Sequence, residues 1–493
     1  MDTLNRRQFI QLSAAGLSAA ACEGLIAQVA QAEGKRLNVL HIISDDLCAR
    51  LGCYGFPEVK TPNLDAFAAR GVKFDNCYCQ YPLCNPSRAS FMTGLRPDTL
   101  EIYENVKNFR VSRPETVTLA QSFRKAGYHV ARVGKIYHYG VPREIGTSGM
   151  DDPDSWEQYI NPKGRDVDDI SMVEVLHLGE DGKPTTVTGR RLTDVGGTVS
   201  WLAADGTDDE QTDAKGATSA IELMEKFKQQ GEPFYLAVGF FRPHTPYVAP
   251  KAYYDLYPLD KITLPEIPAD YDTRVPEAAL QSRKPEQHGM SDTLRRRAIQ
   301  GYYAAMSFMD AEVGRLLDAV DRLKLGDDTL IFFHSDHGYH LGEKNLWQKM
   351  SIFEESVKVP MIIALPGSKG KGQTCKRVVE LVALHKTIAD LCGVPADPAA
   401  EGHSFKPLVE DPAAAWDHPA YSQVQRTRKD VIMGRSVRTE RWRYTEWNGG
   451  AAGAELYDHD NDPHEMKNLA KDPAHAETIA KLKPLLLQMG QKA

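Results

Sequence analysis

An α/β architecture is predicted, with a mostly parallel sheet covered on both faces by helices and a smaller antiparallel subdomain at the C-terminus. Three observations predict it. Short apolar runs rich in β-branched residues recur through the first two thirds of the chain. Helical patterns lie between them. After Pro395 the texture changes to short alternating segments punctuated by turn residues.

Taken in order, residues 36–44 (RLNVLHIIS) read as a buried strand, and Asp45-Asp46 follows it at once. Thr61-Pro62-Asn63-Leu64 opens a helix that runs to Arg70 and stops at Gly71. His129–Val133, Phe234–Gly239 and Thr329–Phe333 are further strands. Helices are expected at Val117–Ala126, at Ala298–Leu323 and at Val378–Leu391. Residues 140–220 are polar, Gly- and Asp-rich and weakly patterned, and read as insertions and loops. Residues 258–297 read the same way, with a charged end at Arg295-Arg296-Arg297. In the last part, Asp430–Arg438 and Arg441–Trp447 are short strands, Gly449-Gly450 is a turn, and Glu455-Leu456-Tyr457-Asp458 precedes a closing helix.

The chain has 493 residues, 42% hydrophobic and 26% charged, enough for a large buried core. A formal net charge of −8 argues against nucleic acid as a partner, and an anionic substrate would need cations gathered locally. The N-terminus reads as an address. Asn5-Arg6-Arg7-Gln8-Phe9-Ile10 resembles the twin-arginine export signature, an alanine-rich apolar stretch runs from Leu12 to Ala30, and Ala30-Gln31-Ala32 fits a cleavage site. The predicted organisation is a signal peptide at 1–32, a catalytic domain at 33–395 and a C-terminal subdomain at 396–493. The predicted destination is the periplasm or the exterior, through the Tat translocase. Ala19-Ala20-Ala21 before Cys22 is a poor lipobox, and no later stretch is long and apolar enough to span a bilayer. The cysteines fit no zinc module. The spacing permits a disulfide between Cys53 and Cys77 or Cys79 but does not decide it.

Ligands in open α/β sheets bind beyond the carboxyl ends of the strands. Two acidic pairs stand there: Asp45-Asp46 after the first strand, and Asp336-His337 after residues 330–335. Three carboxylates and an imidazole converging on one spot repel each other unless a cation joins them. Oxygen ligands suit Ca²⁺ or Mg²⁺, and the histidine leaves Mn²⁺ or Zn²⁺ open. A third element is Cys84-Asn85-Pro86-Ser87-Arg88, running on to Gly94. Pro86 suits a first helical turn and Gly94 a helix end. Cys84 would then lie at a helix N-terminus, where N–H groups favour an anion, with Arg88 one turn along the same face.

The segment Cys84–Gly94 resembles the sulfatase signature C-x-P-S-R-x-x-x-L-T-G, with Met92 where leucine is usual. The resemblance runs from about Leu37 to Asp458. Its texture is nearest the iduronate-2-sulfatase branch, in Asp45-Asp46-Leu47, residues 51–55 (LGCYG), Arg96–Thr99, residues 133–138 (VGKIYH), Arg242-Pro243-His244 and Asp336-His337-Gly338. It implies an alkaline-phosphatase-like α/β/α sandwich and a sulfuric ester hydrolase acting on a sulfated saccharide. It implies one divalent metal, calcium in most relatives, held by Asp45, Asp46, Asp336, His337 and matured Cys84. A separate maturation enzyme converts that cysteine to formylglycine (3-oxoalanine). Arg88 would position the hydrated aldehyde and Lys135 would bind a sulfate oxygen. His138 would assist release of sulfate, and His244 and Lys349 would serve the leaving oxygen. Asp98 and Tyr103 are expected to shape substrate choice. The alternatives are a phosphonate or phosphodiester hydrolase, which shares the Cys-x-Pro-Ser-Arg segment, and a non-catalytic glycan-binding protein should Cys84 stay unmodified.

Overall fold

A computed structural model describes residues 36–191, 194–427 and 430–489. From Asn38 onward the chain is one compact unit. Its centre is an eight-stranded sheet: β1 (Asn38–Asp45), β2 (Val72–Tyr78), β3 (His129–Gly134), β4 (Gln158–Ile160), β5 (Phe234–Pro243), β6 (Thr329–Ser335), β7 (Lys358–Ala364) and β8 (Thr374–Glu380). The spatial order is β8-β2-β7-β6-β1-β5-β3-β4. Only β7 runs against its neighbours, so the sheet is mostly parallel, as expected. The helices α1 (Pro62–Ala68), α2 (Cys84–Thr93), α3 (Leu119–Lys125), α4 (Thr212–Gln230), α5 (Asp292–Arg322) and α6 (Leu384–Cys392) cover it.

The alternation of β1 shows why both faces must be covered. Val39 and Ile43 join one core with Phe91, Leu119 and Leu384, from α2, α3 and α6. Leu40 and Ile42 join the other with Leu64, Leu223 and Val313, from α1, α4 and α5. Successive side chains of a strand point to opposite sides, so a strand between two helical layers is apolar throughout. A C-terminal antiparallel sheet follows: β9 (Ala420–Arg426), β10 (Ile432–Arg438), β11 (Trp442–Trp447) and β12 (Ala454–Asp458), closed by α7 (Ala476–Gln488).

Several expectations need correction. Residues 140–220 are not simply loop: Glu174–Leu178, Pro184–Val187 and Ser200–Ala204 form a four-stranded sheet with Tyr247–Pro250, and α4 begins at Thr212. The first turns of α4 bury small residues, Ala214, Gly216, Ala217 and Ala220, which leave a weak apolar signal; its large buried side chains, Leu223, Met224 and Phe227, come only near the end. The helix expected at Val378–Leu391 is a strand to Glu380 and a helix from Leu384, because Val378 and Val379 pair with Asn76 and Cys77 of β2. Arg295–Arg297 lie inside α5, whose N-cap is Ser291, accepting from the Leu294 N–H. Strands β2, β7 and β9 had no expectation; charged residues and Pro360 interrupt their apolar pattern. Cys53, Cys77 and Cys79 are free thiols. Among the described residues no helix is long and apolar enough to cross a membrane. The expected signal peptide lies outside the described residues.

Candidate metal centre and active site

Strand register brings the two acidic pairs together. In the parallel pairing of β1 with β6, Ser44 stands opposite Ser335, so Asp45 and Asp336 leave the sheet side by side. Asp46 turns into the left-handed region, φ 64°, and its N–H donates to Asp336 Oδ1 at 3.0 Å. The Tyr302 hydroxyl on α5 donates to the Asp46 carbonyl at 2.6 Å and holds that turn. Next to β1, β3 pairs with β5 as far as Gly134 opposite Gly239. A Cβ on Gly239 would lie 1.9 Å from the Lys135 carbonyl oxygen, so glycine is what lets Lys135 leave the sheet beside the acids. Strand β5 runs on to Pro243 and delivers His244.

Every residue of α2 is buried. Cys84 begins it, and Gly94, φ 73°, ends it. Arg88 projects between the acid pairs. Its Nε donates to Asp336 Oδ2 at 2.9 Å, its Nη2 to Asp45 Oδ1 at 2.8 Å, and its Nη1 to the carbonyls of Lys135 and Ile136. Lys135 Nζ donates to Asp45 Oδ2 at 2.6 Å. Lys349 Nζ lies 2.5 Å from Asp46 Oδ1 and 3.0 Å from Cys84 Sγ. Cys84 Sγ is 3.5 Å from His337 Nε2, and His244 Nε2 is 3.8 Å from Asp46 Oδ2. His138 is buried, and its Nδ1 has no partner in the protein. The expected site residues Asp45, Asp46, Cys84, Arg88, Lys135, His244, Asp336, His337 and Lys349 therefore meet at one place, with His138 against the Cys84 thiol.

The electrostatics follow from burial against close charges. Burial pushes Asp45 up, but Lys135 and Arg88 override it and hold the carboxyl well below its usual range. Burial raises Asp336 to about 6 against the pull of Arg88. Burial alone would also raise the Cys84 thiol; Lys349, Lys135, His138 and His244 bring it well below the ordinary value. The place suits an anionic nucleophile.

The donor set fits a divalent cation. Asp46, Cys84, Asp336 and His337 offer donor atoms within 4.8 Å of one another, and so do Asp45, Asp46, Cys84 and His244. Asp46 Oδ2 is buried without any hydrogen-bond partner. His337 Nδ1 faces the Gly338 carbonyl at 2.9 Å, so that nitrogen donates and Nε2 turns its lone pair to the acids.

The family model described as Sulfatase matches residues 37–394, nearly three quarters of the chain. The chain belongs to the sulfatase family. A second model, described as N-sulphoglucosamine sulphohydrolase, C-terminal, matches residues 342–492 of this sulfatase. It is 32% identical to the iduronate 2-sulfatase of Mus musculus, over 91% of this chain and 93% of that one. In fold it is similar to the phosphonate monoester hydrolase from Silicibacter pomeroyi, with a TM-score of 0.73, 23% identity, and coverage of 92% of this chain and 95% of that one. It is likewise similar to a 2-O GAG sulfatase, with a TM-score of 0.68, 24% identity, and coverage of 92% and 91%. The fold is the alkaline-phosphatase-like sandwich, and the chain is a sulfuric ester hydrolase.

Asp98 and Tyr103 lie together, the Tyr103 hydroxyl donating to Asp98 Oδ1 at 2.8 Å. Their loop adjoins α2, because Asn85 Nδ2 donates to the carbonyls of Glu104 and Lys107. Two partners escaped the sequence reading: Gln423 Nε2 reaches Asp98 Oδ1 at 2.7 Å and Arg435 Nη2 reaches Oδ2 at 2.9 Å. They stand opposite each other on β9 and β10. No short motif marks them, since only the packing of the C-terminal sheet brings them there.

Proposed function

We propose that this sulfatase hydrolyses sulfate esters of a carbohydrate, with Cys84, matured to formylglycine, as nucleophile and with Asp45, Asp46, Asp336 and His337 holding a divalent metal, calcium by family usage. The observation that carries the reading is the position of Cys84: it opens a buried helix, in contact with Lys349 and His337, beside a carboxylate oxygen that lacks a partner. The mature residue, an aldehyde that takes up water, would supply a hydroxyl that attacks sulfur. The metal would lower the pKa of that hydroxyl and polarise a sulfate oxygen. Arg88 fixes Asp45 and Asp336 in register through its two carboxylate bonds. Lys135 and Lys349 put positive charge where the equatorial sulfate oxygens would lie. His244 donates through Nδ1 to the Thr245 carbonyl at 2.5 Å, which turns Nε2 inward. From there it or Lys349 can hold a proton for the leaving alcohol oxygen. His138, facing Cys84 from the other side, stands to take the proton released as sulfate departs.

The name of the 32%-identical relative supports a uronate 2-O-sulfate as the substrate, and Asp98 and Tyr103 as residues that shape its pocket. The twin-arginine segment supports export to the periplasm, so replacing Arg6-Arg7 with Lys-Lys should trap active protein inside the cell. Peptide mass spectrometry of the native enzyme tests the nucleophile: Cys84 should appear as the aldehyde or its hydrate, and Cys84→Ala should show no turnover of a sulfate ester above background. An active enzyme carrying an intact Cys84 thiol would sink the reading, as would faster turnover of a phosphodiester than of the matching sulfate.

A further inference from the structure

Lys284 is a cation near this centre that no motif points to. It opens the short segment Pro285–Gln287, and its Nζ donates to the Gly197 carbonyl and, at 2.8 Å, to Gln348 Oε1. Both acceptors are neutral. The carboxylates that act on it are Glu286 and, more weakly, Asp46, and neither forms an ion pair with it, nor does any other carboxylate among the described residues. Burial pulls Lys284 below the ordinary lysine value, with Lys349 adding to the effect. A half-buried ammonium held only by neutral oxygens is costly, and at a binding site it is relieved by an anion from outside.

Its two tethers locate it. Gln348 precedes Lys349, and Gln287 Nε2 also donates to Gln348 Oε1 at 2.8 Å. Gly197 precedes Thr198, whose carbonyl accepts from Thr245 Oγ1 at 2.8 Å, while Ser200 Oγ lies 2.7 Å from that same hydroxyl. Thr245 follows His244. Lys284 thus bridges the two arms that carry His244 and Lys349, the pair on the leaving-oxygen side, and with two acceptors engaged it keeps a third N–H. Thr198 Oγ1, on the same arm, is buried with no partner in the protein. The part of the substrate beyond the leaving oxygen is the alcohol.

We propose that Lys284 is a specificity-determining residue that binds a second anionic group, a carboxylate or a further sulfate, on the alcohol part of the substrate. This rests on the reading that the Cys84 centre cleaves sulfate esters, and it adds the residue that would read a negative charge on the alcohol.

The test is a cycle between enzyme and substrate. A 2-O-sulfated hexuronate is compared with its carboxyl methyl ester, and a disulfated neutral hexose with its monosulfate, using wild type, Lys284→Met and Lys284→Arg. In wild type, removing the second anion should lower kcat/KM about 30-fold, chiefly through KM, in one of the two pairs. Lys284→Met should show less than about a threefold difference in that pair, and Lys284→Arg should restore part of it. The responding pair identifies the anion as carboxylate or sulfate. Equal losses on all four substrates, or no preference for the second anion in wild type, would overturn the proposal; the wild-type comparison needs no folded variant. Hydrolysis of 4-nitrophenyl sulfate checks the sulfatase reading separately. Should that reaction be absent, the Kd of the unsulfated hexuronate and of the monosulfated hexose still decides the matter: one should weaken about 30-fold in Lys284→Met, and unchanged values would refute the role.

Discussion

Among the described residues, two clusters of acids, bases and histidine present the ligand types of a metal site, one fully buried and one partly buried. One is the centre around Asp46. The other lies between the central sheet and the C-terminal sheet, around Glu354, Arg443, His459 and Glu465. In the second, every carboxylate oxygen has a partner. Glu465 Oε1 accepts from Arg443 Nε at 2.6 Å and lies 3.1 Å from His459 Nε2, and Oε2 accepts the Glu354 N–H at 2.8 Å. Glu354 accepts from the Tyr78 hydroxyl at 2.9 Å and from Arg443 at 2.5 Å. In the first, Asp46 Oδ2 has none. The same types of side chain weld two sheets in one place and leave a carboxylate lone pair open in the other. Saturation of the lone pairs, rather than composition, separates them.

That contrast can be broken or sharpened by experiment. The largest effect belongs to the unsaturated cluster. Asp46→Asn keeps the shape but removes the charge; turnover should fall on the order of ten-thousandfold and bound metal should be lost, while thermal stability changes little. Stoichiometric metal in that variant, by elemental analysis, would end the assignment. The saturated cluster should show the opposite. Arg443→Met strands two buried carboxylates and should cost about 3–5 kcal/mol in chemical denaturation, with metal content per folded molecule unchanged. A metal that left with Arg443 would erase the distinction.

Acid gives a smaller effect of the same kind. Burial alone would raise Glu465, but Arg443 and His459 hold it down to about 2, against an ordinary 4.5. A carboxyl with a depressed folded-state pKa stabilises fully above its unfolded value and loses that contribution as pH falls through the folded one. Wild type should lose on the order of 3 kcal/mol more than Glu465→Gln between pH 4.5 and 2. Parallel pH profiles would show that Glu465 carries no such charge. The smallest effect is at the surface, where Arg70 and Asp321 form a bidentate pair with side chains 34% and 56% exposed. Arg70→Ala should cost under about 1 kcal/mol, a loss that salt screens away.

The sequence made the cluster proposed as the active site legible and left the saturated one unseen, for a physical reason. Asp45-Asp46, Asp336-His337 and Cys84–Gly94 are contiguous, and each sits where a strand or helix must end, so chain order alone implies their position. Glu354, Arg443, His459 and Glu465 are scattered over a hundred residues and meet only because β11 packs on the core. The same holds for Gln423 and Arg435 at Asp98, and for Lys284. The sheet was visible where strands are continuous apolar runs, as in β1, β5 and β6. It was hidden at β2 and β7, where Asp75, Asn76 and Pro360 interrupt the pattern, and the start of α4 was hidden because its first turns bury small residues, Ala214, Gly216, Ala217 and Ala220.

The burial of helix α2 bears on the timing of the maturation proposed for Cys84. Cys84 has no exposed surface, and every residue of its helix is buried. The maturation enzyme proposed for Cys84 could reach that thiol only while the chain around it is still open, so folding would set a deadline for the conversion. If the protein leaves by the twin-arginine route, which carries folded proteins, that deadline would fall before the membrane is crossed. A slower-folding variant would then leave the cell more completely matured than a faster one.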